Sequence, residues 1–149
     1  MGPTFANLLT HFIFSTKNRL SLIPSDRTER LHAYMGGVIR NVECVLLAAG
    51  GTANHVHLLV SRHPTVSESV LMRDVKTNSS RWFRQTCGIR DFAWQDGFGA
   101  FSVSKSSAEA VRQYIANQEE HHRSRTFEEE FIEFLERHGV EYDPRYVFD

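Results

Sequence analysis

One segment organises this chain: Thr52-Ala53-Asn54-His55-Val56-His57-Leu58-Leu59-Val60-Ser61. The residues around its two histidines are apolar and β-branched, which predicts a buried strand. Because successive side chains on a strand point to opposite faces, His55 and His57 share one face, and Val56 and Leu58 share the other. Two imidazoles side by side on a rigid strand form half of a divalent-metal site. Another part of the chain must supply the other half.

The segments around this strand predict an α+β domain, in which helices pack on an antiparallel sheet. Apolar patterns predict strands over residues 7–15, 43–49 and 101–104, and Gly50-Gly51-Thr52 is expected to join the second of these to the histidine strand as a hairpin. Apolar periodicity and capping residues predict four helices: one after Ser25, one over 65–86, one over 108–122 and one between Thr126 and Gly139. The predicted order is β-α-β-β-α-β-α-α.

Length and composition indicate one globular domain. The chain has 149 residues, of which 41% are apolar, and this is enough for a sizeable core. No apolar run approaches the roughly 20 residues of a membrane helix, and the N-terminus lacks the residue order of a signal peptide. Cys44 and Cys87 show no CxxC spacing, so we expect reduced thiols. These features predict a cytoplasmic protein without a membrane partner.

Charge is distributed unevenly along the chain. Residues 1–125 contain 15 Lys and Arg against 10 Asp and Glu, whereas residues 126–149 contain 2 against 8. A basic body with an acidic tail is compatible with phosphate binding, but this basic excess is too mild to predict a nucleic-acid partner by itself. The prediction of such a partner depends on a motif.

The helix predicted over residues 108–122 can complete the metal site. Tyr114 and Gln118 lie four residues apart, so their side chains project from one stripe of the helix, and His121 extends that stripe. A tyrosine hydroxyl beside an amide oxygen that can bind a cation is suited to phosphoryl chemistry. The phenolate attacks phosphorus, while a metal ion polarises a non-bridging oxygen and stabilises the leaving group.

Together these motifs resemble the single-tyrosine transposases of the HUH nuclease superfamily, of the insertion-sequence 200/605 type. The resemblance depends on His55-Val56-His57 within residues 54–60 and on Val111-Arg112-Gln113-Tyr114-Ile115-Ala116-Asn117-Gln118 about sixty residues later. A lone HxH is a weak signal, but HxH on a strand with a downstream Tyr-x-x-x-Gln helix is a strong one. Residues 11–17, 79–82 and 94–98 are also similar to segments of close relatives.

The resemblance implies a ferredoxin-like, RRM-like sheet and a site in which His55, His57 and Gln118 bind Mg²⁺ or Mn²⁺ and Tyr114 is the nucleophile. It also implies that the substrate is single-stranded DNA with hairpin ends, cleaved through a 5′-phosphotyrosine intermediate. The family is dimeric, so active sites completed in trans within a homodimer are expected. The implied organism is a bacterium or an archaeon.

Two features depart from the family pattern. Relatives often carry Asp before the first histidine, where this chain has Asn54, and an amide can orient an imidazole without supplying charge. The chain also continues beyond the tyrosine helix. We therefore expect a transposase domain over residues 1–125, with residues 126–149 forming an acidic helix and tail packed on the same domain through an apolar stripe.

Several basic or polar side chains elsewhere are candidate DNA contacts, although the same pattern is typical of a solvated helix face. Most lie on the predicted helix over 65–86; the full set is Arg73, Lys76, Asn78, Arg81, Arg84, Lys105 and His121. Large aromatic residues in the glycine-rich loop after this helix are expected to anchor the loop to the core rather than stack on bases; they are Phe92, Trp94 and Phe98.

Other interpretations of the histidine pair remain open. Taken alone, an HxH pair on an apolar strand is more often structural, and Cys44 on the paired strand leaves a structural zinc site possible. A three-histidine nucleotide hydrolase would need a third histidine at position 59, where this chain has Leu59, so that class is excluded. Two alternatives to a transposase are a domesticated or inactive relative that binds hairpin DNA without mobilising it, and an RNA-binding module.

Overall fold

The computed structural model describes residues 2–149 of the chain. Within these residues one sheet is formed by β1 (Leu9–Ser15), β2 (Val45–Thr52), β3 (His55–Ser61) and β4 (Gly99–Val103). The spatial order is β2-β3-β1-β4, and every neighbouring pair is antiparallel. With one helix between β1 and β2 and another between β3 and β4, this is the ferredoxin-like topology that the sequence predicted.

Helices cover both faces of the sheet. They are α1 (Thr28–Asn41), α2 (Glu68–Gln85), α3 (Ala108–Ala116), the single turn α4 (Gln118–His121) and α5 (Phe127–Arg137). Helices α1 and α2 pack on the face that carries the apolar residues of β1 and β3. The fully buried members of this core include Phe12, Phe14, Leu31, Met35, Ile39, Leu58, Leu71, Val75 and Phe83.

The opposite face of the sheet carries His11, His55 and His57 and is covered by α3 and α5. The side chains of β3 alternate between the two faces of the sheet, as predicted: Val56, Leu58 and Val60 belong to the core under α1 and α2, while Leu59 packs against α3. Helix α5 buries its apolar stripe in a second core with Ile13 and Phe101; the stripe consists of Phe127, Phe131, Phe134 and Leu135. The acidic helix is therefore packed on the same domain.

Several local predictions shift by a few residues. The hairpin turn is Ala53-Asn54 rather than Gly50-Gly51-Thr52, because β2 continues through both glycines. A Cβ atom on Gly50 would lie 2.1 Å from the carbonyl oxygen of Ile115. Glycine therefore allows β2 to approach the backbone of α3, which carries Tyr114.

The helix predicted over 108–122 is interrupted. Asn117 adopts φ −102° and ψ 26°, outside the helical region, and its N–H donates to the carbonyl of Tyr114. Asparagine competes with the helical backbone for hydrogen bonds and favours helix ends, which accounts for a break at this residue. The break leaves Gln118 at the start of α4, where its side chain is buried beneath the chain that leads to α5.

Capping and loop predictions have mixed outcomes. The capping box at Thr126 is confirmed: its side chain accepts from the N–H of Glu129, and the Glu129 side chain bonds back to Thr126. Helix α2 is capped by Ser67 rather than by Thr65.

Two of the loop aromatics, Phe92 and Trp94, are buried in the core, as predicted, and Phe98 packs against it. Both cysteines are free thiols, and no helix within residues 2–149 is long and apolar enough to cross a bilayer.

Candidate active site

Strand β3 presents His55 and His57 side by side beneath α3, α4 and α5. Both side chains are fully buried, and their ring centroids lie 5.2 Å apart. The Nε2 atom of His55 is 2.9 Å from Oε1 of Gln118. The imidazole and the amide that the sequence singled out therefore meet in one chain. Completion in trans by a second chain stays a prediction.

Glu130 of α5 was not predicted from the sequence. Its side chain is 0% exposed and lies at the centre of a buried cluster with His55, His57 and His122. Its Oε1 atom is 2.9 Å from Nε2 of His57, 3.2 Å from Nε2 of His122 and 3.7 Å from Nε2 of His55. A buried carboxylate is tolerated only with such partners. Burial acts to raise the pKa of Glu130, but hydrogen bonds from His122 and His57 outweigh it and hold the pKa well below its usual range.

Tyr114 is joined directly to this carboxylate. Its hydroxyl donates to Oε2 of Glu130 and accepts from Nη2 of Arg125 at 3.1 Å, and its ring stacks on His121 with centroids 4.5 Å apart. Burial and then the hydrogen bond to Glu130 raise the pKa of the phenol, with Arg125 opposing them. The phenol of Tyr114 is protonated in this arrangement, and the carboxylate of Glu130 links it to the histidine pair.

The other nitrogen of each histidine also has a partner. Nδ1 of His57 is 2.8 Å from Nε2 of His11, and Nδ1 of His55 is 2.9 Å from Oδ1 of Asn54. When Nε2 binds a metal ion, Nδ1 carries the proton and needs an acceptor. His11 and Asn54 provide these acceptors, so Asn54 orients its imidazole through an amide, as expected from the sequence.

Signals for the missed residues are present in hindsight. His11 lies on the same face of β1 as Leu9 and Ile13, and Ile13 is paired with His57, which places His11 on the face of the histidine pair. Glu130 follows Phe127 by three residues and precedes Phe134 by four, so it lies on the apolar stripe of α5 rather than on its solvated face. A charged residue on a buried stripe is the sequence signal that could have found it.

These donors fit a metal ion. The ligand atoms of His55, His122 and Glu130 lie within 4.8 Å of one another, and the neighbouring donors described above are 2.9–3.7 Å apart. Two ligands at right angles around an ion, each at about 2.1 Å, are separated by about 3.0 Å. Imidazole, carboxylate and amide groups are all suitable ligands for divalent ions. The cluster can therefore bind a metal.

The candidate DNA contacts of α2 lie on the other face of the sheet. Lys76 donates to the carbonyls of Gln95 and Asp96 at 2.9 and 3.2 Å and also to that of Gly97. Burial lowers its pKa to about 8, against the opposing effect of Asp96. Arg84 donates to the carbonyl of Phe92. These two cations hold the loop, which leaves them less available to phosphates.

The remaining candidates have different surroundings. Arg73, Arg81 and Lys105 are exposed, and the amide of Asn78 donates to the carbonyl of Asp74 within its own helix. Of these candidate DNA contacts, His121 is the one next to Tyr114, on whose ring it stacks. None of the α2 residues is brought next to the histidine pair, so a role in DNA binding would concern a separate surface.

The buried histidines predict acid sensitivity of the metal-free protein. Burial, followed by repulsion from His57, lowers the pKa of His11 and of His55 from 6.5 to about 3. Because the unfolded chain binds these protons at a higher pH, the free energy of unfolding should fall by about 2–4 kcal/mol between pH 7 and pH 5 and continue to fall toward pH 3. Urea denaturation in EDTA measures this. Equal stability at pH 7 and pH 5 would contradict it.

A model of the family described as "Transposase IS200 like" matches residues 4–118. The chain belongs to this family of transposases. Transposases cleave DNA and transfer its strands, and a cluster that can hold a metal ion is consistent with this family. The matched region of this transposase ends at Gln118, which leaves His122, Arg125 and Glu130 outside it.

Solved structures support the fold of the transposase. A candidate transposase from Deinococcus radiodurans R1 is 21% identical, with a TM-score of 0.62, and the alignment covers 79% of this chain and 96% of that one. A REP-associated tyrosine transposase bound to a REP hairpin is 17% identical, with a TM-score of 0.57, and the alignment covers 77% and 68%. No curated protein matches the chain.

Proposed function

We propose that the chain cleaves and rejoins single-stranded DNA at hairpin-bearing ends, with Tyr114 as the nucleophile and with a divalent ion, Mg²⁺ or Mn²⁺, held by His55, His57 and Gln118 together with Glu130. The observation that supports this most directly is the continuous contact from His57 through Glu130 to the Tyr114 hydroxyl. It joins the candidate nucleophile to the candidate metal ligands in one buried cluster. The relative that was solved with a REP hairpin supports hairpin DNA as the substrate.

The reaction follows from these positions. When bound, the divalent ion supplies Lewis-acid polarisation of a non-bridging phosphate oxygen. Tyr114 attacks phosphorus, the bond between its oxygen and phosphorus forms, and the bond to the 3′ oxygen breaks, leaving a 3′-OH and a 5′-phosphotyrosine. Attack of a 3′-OH on the phosphotyrosine reverses the step, so that rejoining needs no nucleotide cofactor. One tyrosine holds one DNA end, and joining two ends therefore favours a dimer.

DNA must displace side chains to reach this cluster. Burial of the four apolar side chains of α5 stabilises its docking by roughly 6–12 kcal/mol, so loss of the whole helix is disfavoured. The side chain of Arg125 is easier to displace, because it is 26% exposed. It donates hydrogen bonds to Tyr114 and Glu133 at the solvent-exposed edge of the site. We infer that rotation of Arg125 and Tyr114 admits the phosphate while α5 stays docked.

A second candidate function is hairpin binding without cleavage, in a domesticated relative. The observation that favours it is the complete burial of His55, His57 and Glu130, because a protein that only binds DNA does not need to expose them. In both cases DNA is the proposed partner, and the cytoplasm of a bacterium or an archaeon is the proposed location.

An adduct experiment separates the two functions. Single-stranded oligonucleotides that carry the hairpins flanking the gene are labelled at the 3′ end and incubated with the protein and Mn²⁺. Cleavage transfers the label to the protein as a band that resists denaturation, whereas the same oligonucleotides labelled at the 5′ end yield a shorter free fragment. EDTA should abolish both products. Hairpin binding without either product would overturn the proposal in favour of the second function.

A further inference from the structure

A cavity of about 590 Å³ opens directly beside Tyr114, between β4, α3 and α5. Its walls include His11, Phe101, Tyr114, Phe134, Arg137 and His138. On the α3 side Ser107, Ala110, Val111 and Tyr114 lie three or four residues apart, so one face of that helix forms a wall. The cavity depends on α5 and therefore lies partly outside the region matched by the family.

Aromatic rings dominate this cavity. The ring of His138 lies 4.5 Å from Phe101 and is parallel to Phe134 within 7°, and His11 meets Phe134 edge to face at 5.2 Å. His138 is exposed, so its ring offers a free face to a ligand. Such a surface suits a flat, partly apolar ligand that can stack.

The charged residues that line this cavity differ from those that line a second cavity nearby. Within residues 2–149 no carboxylate lines this cavity, and its one formally charged residue, Arg137, is paired with Glu133. A second cavity of about 820 Å³, on the side of His122 and Arg125, is lined by three arginines but also by Glu119, Glu128 and Glu129. Because carboxylates repel phosphates, the part of a polyanionic strand next to the attacked phosphate lies more favourably over the aromatic cavity than over the second one.

We propose that the aromatic cavity binds an unpaired nucleobase that flanks the phosphate attacked by Tyr114. The inference rests on the proposed function, since it takes single-stranded DNA as the substrate. A base next to that phosphate must lie within one nucleotide of the Tyr114 hydroxyl, and this cavity is lined by Tyr114 itself. Unpaired bases stack on aromatic side chains without needing a partner strand. The hydroxyls of Ser104 and Ser107 on the cavity wall offer donors and acceptors to the edge of a base.

The test uses 2-aminopurine, a fluorescent base that is quenched on stacking. It is placed in turn at each unpaired position beside the hairpin and titrated with Tyr114→Phe protein and Mn²⁺. We expect quenching at one position. In the same background, His138→Ala and Ala110→Leu should reduce that quenching and weaken binding at least ~5-fold. His138→Phe, which keeps a ring, should retain both, and Gln113→Leu, at an exposed position of α3 that does not line the cavity, should match its parent.

The outcomes separate this inference from the proposed function. Unchanged quenching and affinity in both His138→Ala and Ala110→Leu, with folding verified by circular dichroism, would overturn the base site even if adduct formation persisted. Quenching that is lost in these variants while the wild-type protein forms no adduct would support the base site and overturn the cleavage function. If 2-aminopurine is quenched at none of the unpaired positions, the base site is also overturned.

Discussion

Tyr114→Phe should abolish the covalent protein–DNA adduct, lowering its rate of formation by at least ~10³-fold, because removal of a nucleophile leaves only binding and orientation to the site. The ring that stacks on His121 at 4.5 Å is kept, so hairpin affinity should stay close to that of the wild-type protein. The measurement combines the 3′-labelled adduct assay with a gel-shift titration of the same oligonucleotide.

The chain offers a matched control for this substitution. Tyr142 also donates its hydroxyl to a glutamate, Glu136, but the pair lies on the surface. Tyr142→Phe should therefore form adduct at the wild-type rate. An adduct that persists in Tyr114→Phe would show that another residue is the nucleophile. Loss of both adduct and hairpin binding would instead indicate a damaged fold, which a thermal melt detects.

Glu130→Gln should weaken Mn²⁺ binding at least ~10-fold. The substitution keeps the shape of the side chain but removes the negative charge to which His57 and His122 donate. A divalent ion would then be bound by neutral imidazoles and amides alone, which lowers its affinity. The free Mn²⁺ signal in electron paramagnetic resonance, titrated with protein, measures the affinity without reference to DNA cleavage.

Two control variants make the result interpretable. Glu136→Gln is the same chemical change at an exposed position of the same helix and should bind Mn²⁺ as the wild-type protein does. His57→Asn should lose the ion, which verifies that the signal reports this cluster. Tighter Mn²⁺ binding by Glu130→Gln would show that Glu130 occupies the place of the metal and obstructs the site, and it would contradict Glu130 as a ligand.

Much of the architecture could be predicted because it depends on local periodicity. Alternation along residues 55–61 separates His55 and His57 from Val56 and Leu58, and the structure buries these pairs on opposite faces of β3. The apolar stripe of α5 and its capping box are set by spacings of three and four residues, and both are present. The exact turn before β3 could not be predicted, since close packing of Gly50 on α3 keeps β2 extended beyond the expected turn.

Local patterns in the sequence were enough to predict that two histidines share a face, that Tyr114 and Gln118 lie near them, and that the chain belongs with the IS200-like transposases, although the helix that carries Tyr114 ends before Gln118. Only the tertiary structure showed that Glu130 joins them, that His11 supports His57, and that Arg125 holds the phenol. The physical reason is the distance along the chain between the residues that meet. Periodicity shows which residues share a face within one helix or strand, whereas His57 and Glu130, which are 2.9 Å apart in space, are separated by 73 positions in the sequence. Such a contact exists only after α5 has packed its aromatic stripe on the sheet.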